Sequence, residues 1–440
     1  MKNKIFLQIL LLTAILVLSG CSMATVDQMY SPPKRSDAYK NLQSVIDNAM
    51  VGLSYSAPSA GDHQQTVQIV DLDGDGKEEY LLYAKGNANQ PLKILIFQEK
   101  DGIYVHADTI DHNGIAFEQV EYAQMDDRPG MEIVVGSQIS DQLLRTVSVY
   151  TFLNGQAELL VSANYTKFLT VDLDADGFSE LFLIRPGQHG MDNGIAELYG
   201  VENGIVERSN EVNMSRPVDN LKRIIVGKMH DADAAVYIAS SVDETALITD
   251  VFTYVNGVFA NVSFSNESGT SVSTLRNYYV YADDIDNDGV VELPSIVGMK
   301  SIGQFVAIKR QNMIRWYAMA SDGSEVVKSY TYHNFIHGWY LELDEQWATR
   351  TAVLQQGNNY EFYVWDEEFR HVRKVMTIYA LSGQNREEQS REENQLVLMK
   401  TDAVIYTAKL EKAAANFGIT QDYALLSFHP IQQDWKTGEI

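Results

Sequence analysis

The chain has one cysteine, Cys21, in 440 residues. It therefore has no disulfide framework, and once that thiol is consumed none is left for redox chemistry or nucleophilic catalysis. Long apolar runs are also missing. The run 5–18 is shorter than the roughly 20 residues a membrane span needs, and no later segment approaches that length without charges. Positive charge is scarce: 34 Lys and Arg face 59 Asp and Glu, for a formal net charge of −25. Such a surface repels nucleic acid and anionic headgroups and attracts cations. Sequence motifs for common catalysts are absent too, with no serine elbow between glycines, no His-Glu-x-x-His and no phosphate-cradling glycine loop.

What is present begins at the N-terminus. Lys2 and Lys4 precede the apolar run, which ends in Leu18, Ser19, Gly20 and Cys21. A charged start, a short apolar core and small residues before a cut describe a secretory signal. Leu-Ser-Gly-Cys resembles the bacterial lipobox, and the resemblance implies a signal peptide over 1–20 and acylation of Cys21. The chain would then be lipid-anchored in a cell membrane and face its extracytoplasmic side. Two or three acyl chains meet the requirement for stable attachment. Residues 21–35, with Pro32 and Pro33, read as a tether. Ser36 is placed to cap a helix within 36–52 that carries Tyr39, Leu42, Val45, Ile46 and Met50 on one face, with Gly52 past its end.

Three acidic loops dominate the rest. Asp71, Asp73, Asp75, Gly76 and Glu79 follow the order D-x-D-x-D-G-x-x-E; Asp172, Asp174, Asp176, Gly177 and Glu180 repeat it, as do Asp284, Asp286, Asp288, Gly289 and Glu292. Calcium takes six to eight hard oxygens in a flexible shell. Carboxylates at positions 1, 3 and 5 converge if the chain curls around an ion, with the carbonyls of Lys77, Phe178 and Val290 at position 7 and the glutamates completing the shell. Two carboxylates about 4 Å apart repel by about 4 kcal/mol at an effective dielectric near 20, so a chain that builds this arrangement three times needs a counter-ion. An EF-hand requires Glu at position 12, whereas Leu82, Leu183 and Ser295 stand there. The flanks 67–70, 80–83, 168–171 and 181–184 are β-rich, so these loops join strands.

Asp172 follows Asp71 by 101 residues and Asp284 follows Asp172 by 112. Weaker copies lie between them: Asp126, Asp127, Gly130 and Glu132 before strand 133–136, and Asp231 and Asp233 before strand 235–239. The period is near 50 residues, within the range of propeller blades. At the three full loops the chain resembles the FG-GAP and VCBS repeats of integrin-like propellers. That resemblance implies a mainly β fold, a β-propeller of about five four-stranded blades over 53–335, with about three Ca2+ sites. Six or seven blades follow if degenerate strands lie near Asp62 or Ser301. The lost carboxylates at Gln124, Arg128, Met229 and Ala235 argue against calcium in the two weaker copies.

Beyond 335 the repeat stops. Gly338, Trp339 and Trp347 lead into strand candidates 351–355, 360–365, 375–381, 396–399 and 403–410, and Thr420 opens a helix through Phe428. This pattern resembles the small α+β domain of the PsbP group, which implies a separate C-terminal domain over 336–440; the alternative is that these strands form further blades. The charged stretch 385–394 reads as a solvated loop.

For function, a non-catalytic binding or scaffold module with structural calcium is the first expectation, its partner an unidentified protein or glycan. Tyr122, Tyr165, Tyr199 and Tyr278 are candidates for glycan stacking, though core packing explains such residues more often. The alternative is a secreted polysaccharide hydrolase or lyase, which needs two converging carboxylates outside the acidic loops. His333 and His337 stand at metal-compatible spacing among aromatics, where packing is the commoner role, and His189 lies in a glycine-rich run without a visible partner.

Overall fold

The computed structural model describes residues 37–86, 91–140, 144–187, 193–202, 204–302, 311–392 and 394–431. Cys21, the signal and tether segments, Ser36 and His189 lie outside the described residues. Helix α1 (Asp37–Ala49) forms where the apolar spacing places it. Leu42 and Ile46, with Val45, Ala49 and Met50, pack on Leu82, Ala84, Leu95 and Phe97. Among the described residues no helix is long and apolar enough to cross a membrane.

Six antiparallel sheets follow. In the first, β1 (Ser54–Tyr55) and β2 (Val67–Val70) share one edge of β3 (Glu79–Lys85), followed by β4 (Leu92–Lys100) and β5 (Ile103–His112). The second is β6 (Ala116–Ala123), β7 (Glu132–Gln138), β8 (Arg145–Leu153) and β9 (Gln156–Asn164). The third is β10 (Lys167–Val171), β11 (Glu180–Pro186), β12 (Gly194–Glu202) and β13 (Ile205–Arg208), with β14 (Val212–Asn213) also on β12. The fourth is β15 (Leu221–Gly227), β16 (Ala235–Ser241), β17 (Leu247–Val255) and β18 (Val258–Asn261). Each is an up-and-down meander, the topology of a propeller blade, and the fold is mainly β as the sequence predicts.

Local chemistry closes these meanders. Asp101-Gly102, Asn154-Gly155 and Asn256-Gly257 all adopt positive φ between the last two strands of their sheets. Two consecutive left-handed residues match the twist of a two-residue hairpin, and Asn-Gly or Asp-Gly meets that need at the least steric cost.

Neighbouring sheets share cores in chain order. On β11, Leu181 and Leu183 face the second sheet beside Val134, Val149 and Phe168, whereas Phe182 and Ile184 face the fourth beside Val236, Phe252 and Phe259. A one-residue slip would exchange these two faces, so register is strongly specified. The outer side of the first sheet is covered by α1. Among the described residues no core cluster or hydrogen bond joins the first sheet to the sixth.

The later sheets depart from the simple repeat. In the fifth, β19 (Glu292–Gly298), β20 (Asn312–Met319), β21 (Glu325–Asn334) and β22 (Trp339–Leu343) are consecutive, but the strand before the acidic loop is reduced to one bridge, Asp283 to Glu292. The sixth contains β23 (Thr351–Gln356), β24 (Asn359–Trp365), β25 (Val372–Ser382), β26 (Leu396–Lys400) and β27 (Val404–Leu410), close to the expected spans. Trp339 and Tyr332 of the fifth sheet pack with Tyr360 and Phe362 of the sixth. Thr420 does cap a helix, its side chain accepting from the Tyr423 amide, but that helix ends at Leu426. Phe428 is instead recruited to β28 (Phe428–Pro430), which pairs with β22 and sets its ring 5.1 Å from Trp339. Burying that ring outweighs two further helical residues.

Candidate metal centres

In each of the first five sheets one loop leads into the strand that starts at residue 79, 132, 180, 235 or 292. These loops touch one another. The Met131 amide donates to the Leu72 carbonyl, Ser179 to Gln124, and Lys228 to Gly289. Chain order and antiparallel packing thus gather the acidic segments at one end of the sheet array.

The three full loops are built alike. The position-1 aspartate accepts from the amide at position 6: Gly76 to Asp71 at 3.0 Å, Gly177 to Asp172 at 3.0 Å and Gly289 to Asp284 at 2.9 Å. Glycine is required at position 6, where φ is 84°, 95° and 87°. Position 4 is left-handed as well, and there Gly74, Ala175 and Asn287 serve. The glutamate reaches back to the amide at position 2, Glu79 to Leu72 at 2.8 Å, Glu180 to Leu173 at 2.9 Å and Glu292 to Ile285 at 3.1 Å. One carboxylate oxygen of each glutamate therefore pins the loop, leaving the other available to a cation. This pinning role was not read from the sequence, although recurrence of Glu at the first residue of the second strand was its signal.

The carboxylates converge unequally. Asp172, Asp174, Asp176 and Glu180 each place an oxygen within 4.8 Å of the others, as do Asp71, Asp73 and Glu79, and Asp284, Asp286 and Glu292. Asp75 and Asp288 stand outside their groups. Asp288 is drawn instead to Lys328 Nζ at 2.7 Å. At position 7 the amides of Lys77, Phe178 and Val290 donate to Asp75, Asp176 and Asp288 at 2.7, 2.8 and 2.8 Å.

Electrostatics fits a cation. Burial, together with the neighbouring aspartates, pushes the carboxyls of Glu79 and Glu292 up to about 7 and that of Glu180 up to about 8. Burial also raises Asp73 and Asp174. Asp172 Oδ1 and Glu292 Oε1 are buried without a hydrogen-bond partner, a costly state for a carboxylate unless a cation meets it. An all-oxygen, carboxylate-rich donor set suits a hard divalent ion. Three acidic groups of this chain could therefore hold a metal ion.

The two weaker copies are built differently. In loop 124–132, Glu132 pins the Met125 amide at 3.0 Å as its counterparts do. Arg128, at position 5, places Nε 2.7 Å from Asp126 Oδ2 and Nη2 3.8 Å from Glu132 Oε1. In the fourth sheet Met229 is a core residue, and Asp231 accepts from the Ser321 amide at 2.7 Å and its hydroxyl at 2.8 Å.

The remaining candidates separate. Tyr122, Tyr165 and Tyr199 belong to strands or sheet cores: the Tyr122 hydroxyl lies 2.8 Å from that of Tyr83, and the other two are buried. Tyr278 is half-buried beside Phe335. His333 is buried, bonds Thr331 Oγ1 at 2.9 Å and is pushed down to about 3 by that burial. His337 packs edge-on to Tyr360, and the two histidines form no metal-compatible group among the described residues.

No protein-family profile and no curated protein matches the sequence. Among solved structures the chain is similar to an exotype rhamnogalacturonan lyase, with 13% identity, 73% of this chain and 63% of that one covered, and a TM-score of 0.27. It is similar to a Bacillus licheniformis rhamnogalacturonan lyase at 14% identity, with 73% and 62% covered and a TM-score of 0.26. For a protein from Lactobacillus plantarum the figures are 9%, 72%, 86% and 0.24. The chain spans less than two thirds of either lyase, and at this distance these likenesses carry no statement about activity.

Proposed function

We propose that this chain is a lipid-anchored, extracytoplasmic binding or scaffold module whose sheet array is steadied at its loop end by about three calcium ions. The observation that carries the calcium reading is the convergence of Asp172, Asp174, Asp176 and Glu180 on a strand-to-strand loop, with weaker groups in two further loops. Calcium suits such cages better than magnesium, because Mg2+ demands near-ideal octahedral geometry and dehydrates reluctantly. Carbonyls of Lys77, Phe178 and Val290 would complete the shells. Attachment through Cys21 and an extracytoplasmic setting are the proposal's other half, and they supply the millimolar calcium these sites need. At about 1 mM free ion and dissociation constants of about 0.1–1 mM, each site adds about 0.4–1.4 kcal/mol, enough to stiffen a scaffold without a sharp switch.

The polysaccharide hydrolase or lyase reading rests on a cleft with two converging carboxylates outside the loops. Among the described residues the carboxyls raised above their ordinary range are Asp73, Glu79, Glu132, Asp174, Glu180 and Glu292, all in or pinning these loops. Calorimetry of the detergent-solubilised full chain with calcium and with magnesium tests the proposal. Saturable heat with calcium, lost in part in Asp172→Ala, supports it; no heat with calcium refutes it. Metabolic labelling with a fatty acid, abolished by Cys21→Ala, tests the anchor.

A further inference from the structure

A groove of about 300 Å3 opens where the fifth sheet meets the sixth, apart from the acidic loops. That volume is at the lower end of small-ligand sites. In a protein with 59 acidic residues, its lining contains no carboxylate, ammonium or guanidinium among the described residues. One wall is aromatic. Tyr278, half-buried, and Phe335, exposed on the turn after β21, lie nearly parallel with centroids 6.0 Å apart and planes 23° apart. The floor is aliphatic, from Ile296, Met313 and Ile314.

Planar amides supply the polar part. Tyr332 donates to Gln311 Oε1 at 3.4 Å, Asn312 Nδ2 donates to the Tyr278 hydroxyl at 3.3 Å, and Gln355 Nε2 donates to the Tyr360 hydroxyl at 3.2 Å. Each bond fixes one end of an amide. The opposite ends, the Gln311 amino group and the Asn312 and Gln355 carbonyls, have no partner among the described residues and offer both donor and acceptor character. An uncharged wall of ring faces beside fixed amides matches a molecule with C–H faces and a rim of hydroxyls.

We propose that this groove binds a neutral saccharide, one ring seated against Tyr278 and Phe335 and its hydroxyls meeting Gln311, Asn312 and Gln355. This inference gives a ligand class to the binding-module reading, and it does not depend on calcium. Negatively charged uronates are disfavoured, since no Lys or Arg stands among the described lining residues and the molecule as a whole is strongly negative.

The test is calorimetry of the full chain, solubilised in a polyoxyethylene detergent that carries no sugar, against cellotriose, mannotriose, galactotriose and trigalacturonate. A calcium titration is run on the same sample. At least one neutral trisaccharide should bind, with affinity falling about tenfold in Phe335→Ala and in Tyr278→Ala and retained in Phe335→Trp. Phe335 is exposed, so its truncation leaves the core intact. Calcium heat without heat from any neutral trisaccharide overturns this inference alone. Preference for trigalacturonate, or binding undiminished in both alanine variants, overturns it equally.

Discussion

Loops 124–132 and 172–180 occupy the same place in adjacent sheets and solve the same electrostatic problem in different ways. Both have an acid at position 3 and a buried glutamate that pins the position-2 amide. In the third sheet, positions 1 and 5 add Asp172 and Asp176, and four carboxylates converge, none of them in an ion pair among the described residues. In the second sheet, position 5 is Arg128, whose guanidinium sits against Asp126 and Glu132. One loop carries its cation covalently, and the other, on the calcium proposal, takes it from solution. Where this frame gathers carboxylates, the source of the neutralising charge decides whether stability depends on the medium.

The largest effect should come from removing the built-in cation. Asp126 is only 2% exposed, so Arg128→Ala leaves a buried carboxylate unpaired. Breaking such a pair costs about 3–5 kcal/mol when both partners are buried; with Arg128 partly exposed, about 2–3 kcal/mol is expected. Denaturant melts should show that loss equally with calcium and with excess chelator. A loss confined to either condition would break the comparison.

Chelation acts on the other class of loop. Withdrawing calcium from three sites should lower stability by about 1–4 kcal/mol while leaving most secondary structure in place, read as a fall in melting temperature with a retained far-UV spectrum. The calcium-free protein should also depend on pH. Glu79, Glu180 and Glu292 have folded values of about 7 to 8, above their unfolded value of 4.5. Their contribution is fully present below about pH 4.5 and is lost as pH rises through 7 to 8. Buried histidines such as His112, lowered to about 4 by burial, act in the opposite sense, costing stability as pH falls from 6.5 towards 4. They are common to both forms and cancel in the difference between calcium-loaded and chelated melts. The stabilisation by calcium should therefore grow from pH 5 to pH 8, and a flat difference would contradict the buried-glutamate account.

Much of this frame is legible in the residues. The period of acidic loops, the β-rich flanks and the apolar face of α1 follow from local pattern, and the structure places strands β2, β3, β10 and β11 around the loops accordingly. Gln124 and Met229 mark the two loops that depart from the acidic pattern. Arg128 was legible only as a lost ligand. Its role as substitute cation appears once the fold sets it between Asp126 and Glu132. The ties of Asp288 to Lys328, 40 residues away, and of β28 to β22 depend on tertiary pairing that no local window contains.

Among the acidic loops, finer differences give the smallest effects. Asp172→Ala removes one of four converging oxygens and should cost about 0.4–1.4 kcal/mol in calcium and much less in chelator. Asp75→Ala, outside the converging group, should change calcium affinity less, and equal losses in the two variants would mean that solution geometry does not distinguish them. Lys328 sharpens the comparison furthest, since it makes the third acidic loop an intermediate between the two designs. Its ammonium pairs with Asp288, which stands outside the group of Asp284, Asp286 and Glu292, and the pair is partly solvated on both sides. Such a pair contributes about 0–1 kcal/mol by itself, so Lys328→Met should leave the chelated melt nearly unchanged. With the competing cation gone, Asp288 can join the other three carboxylates, and calorimetry should show tighter calcium binding at this loop alone. If affinity instead falls, the ammonium is supporting the loop and not competing for it.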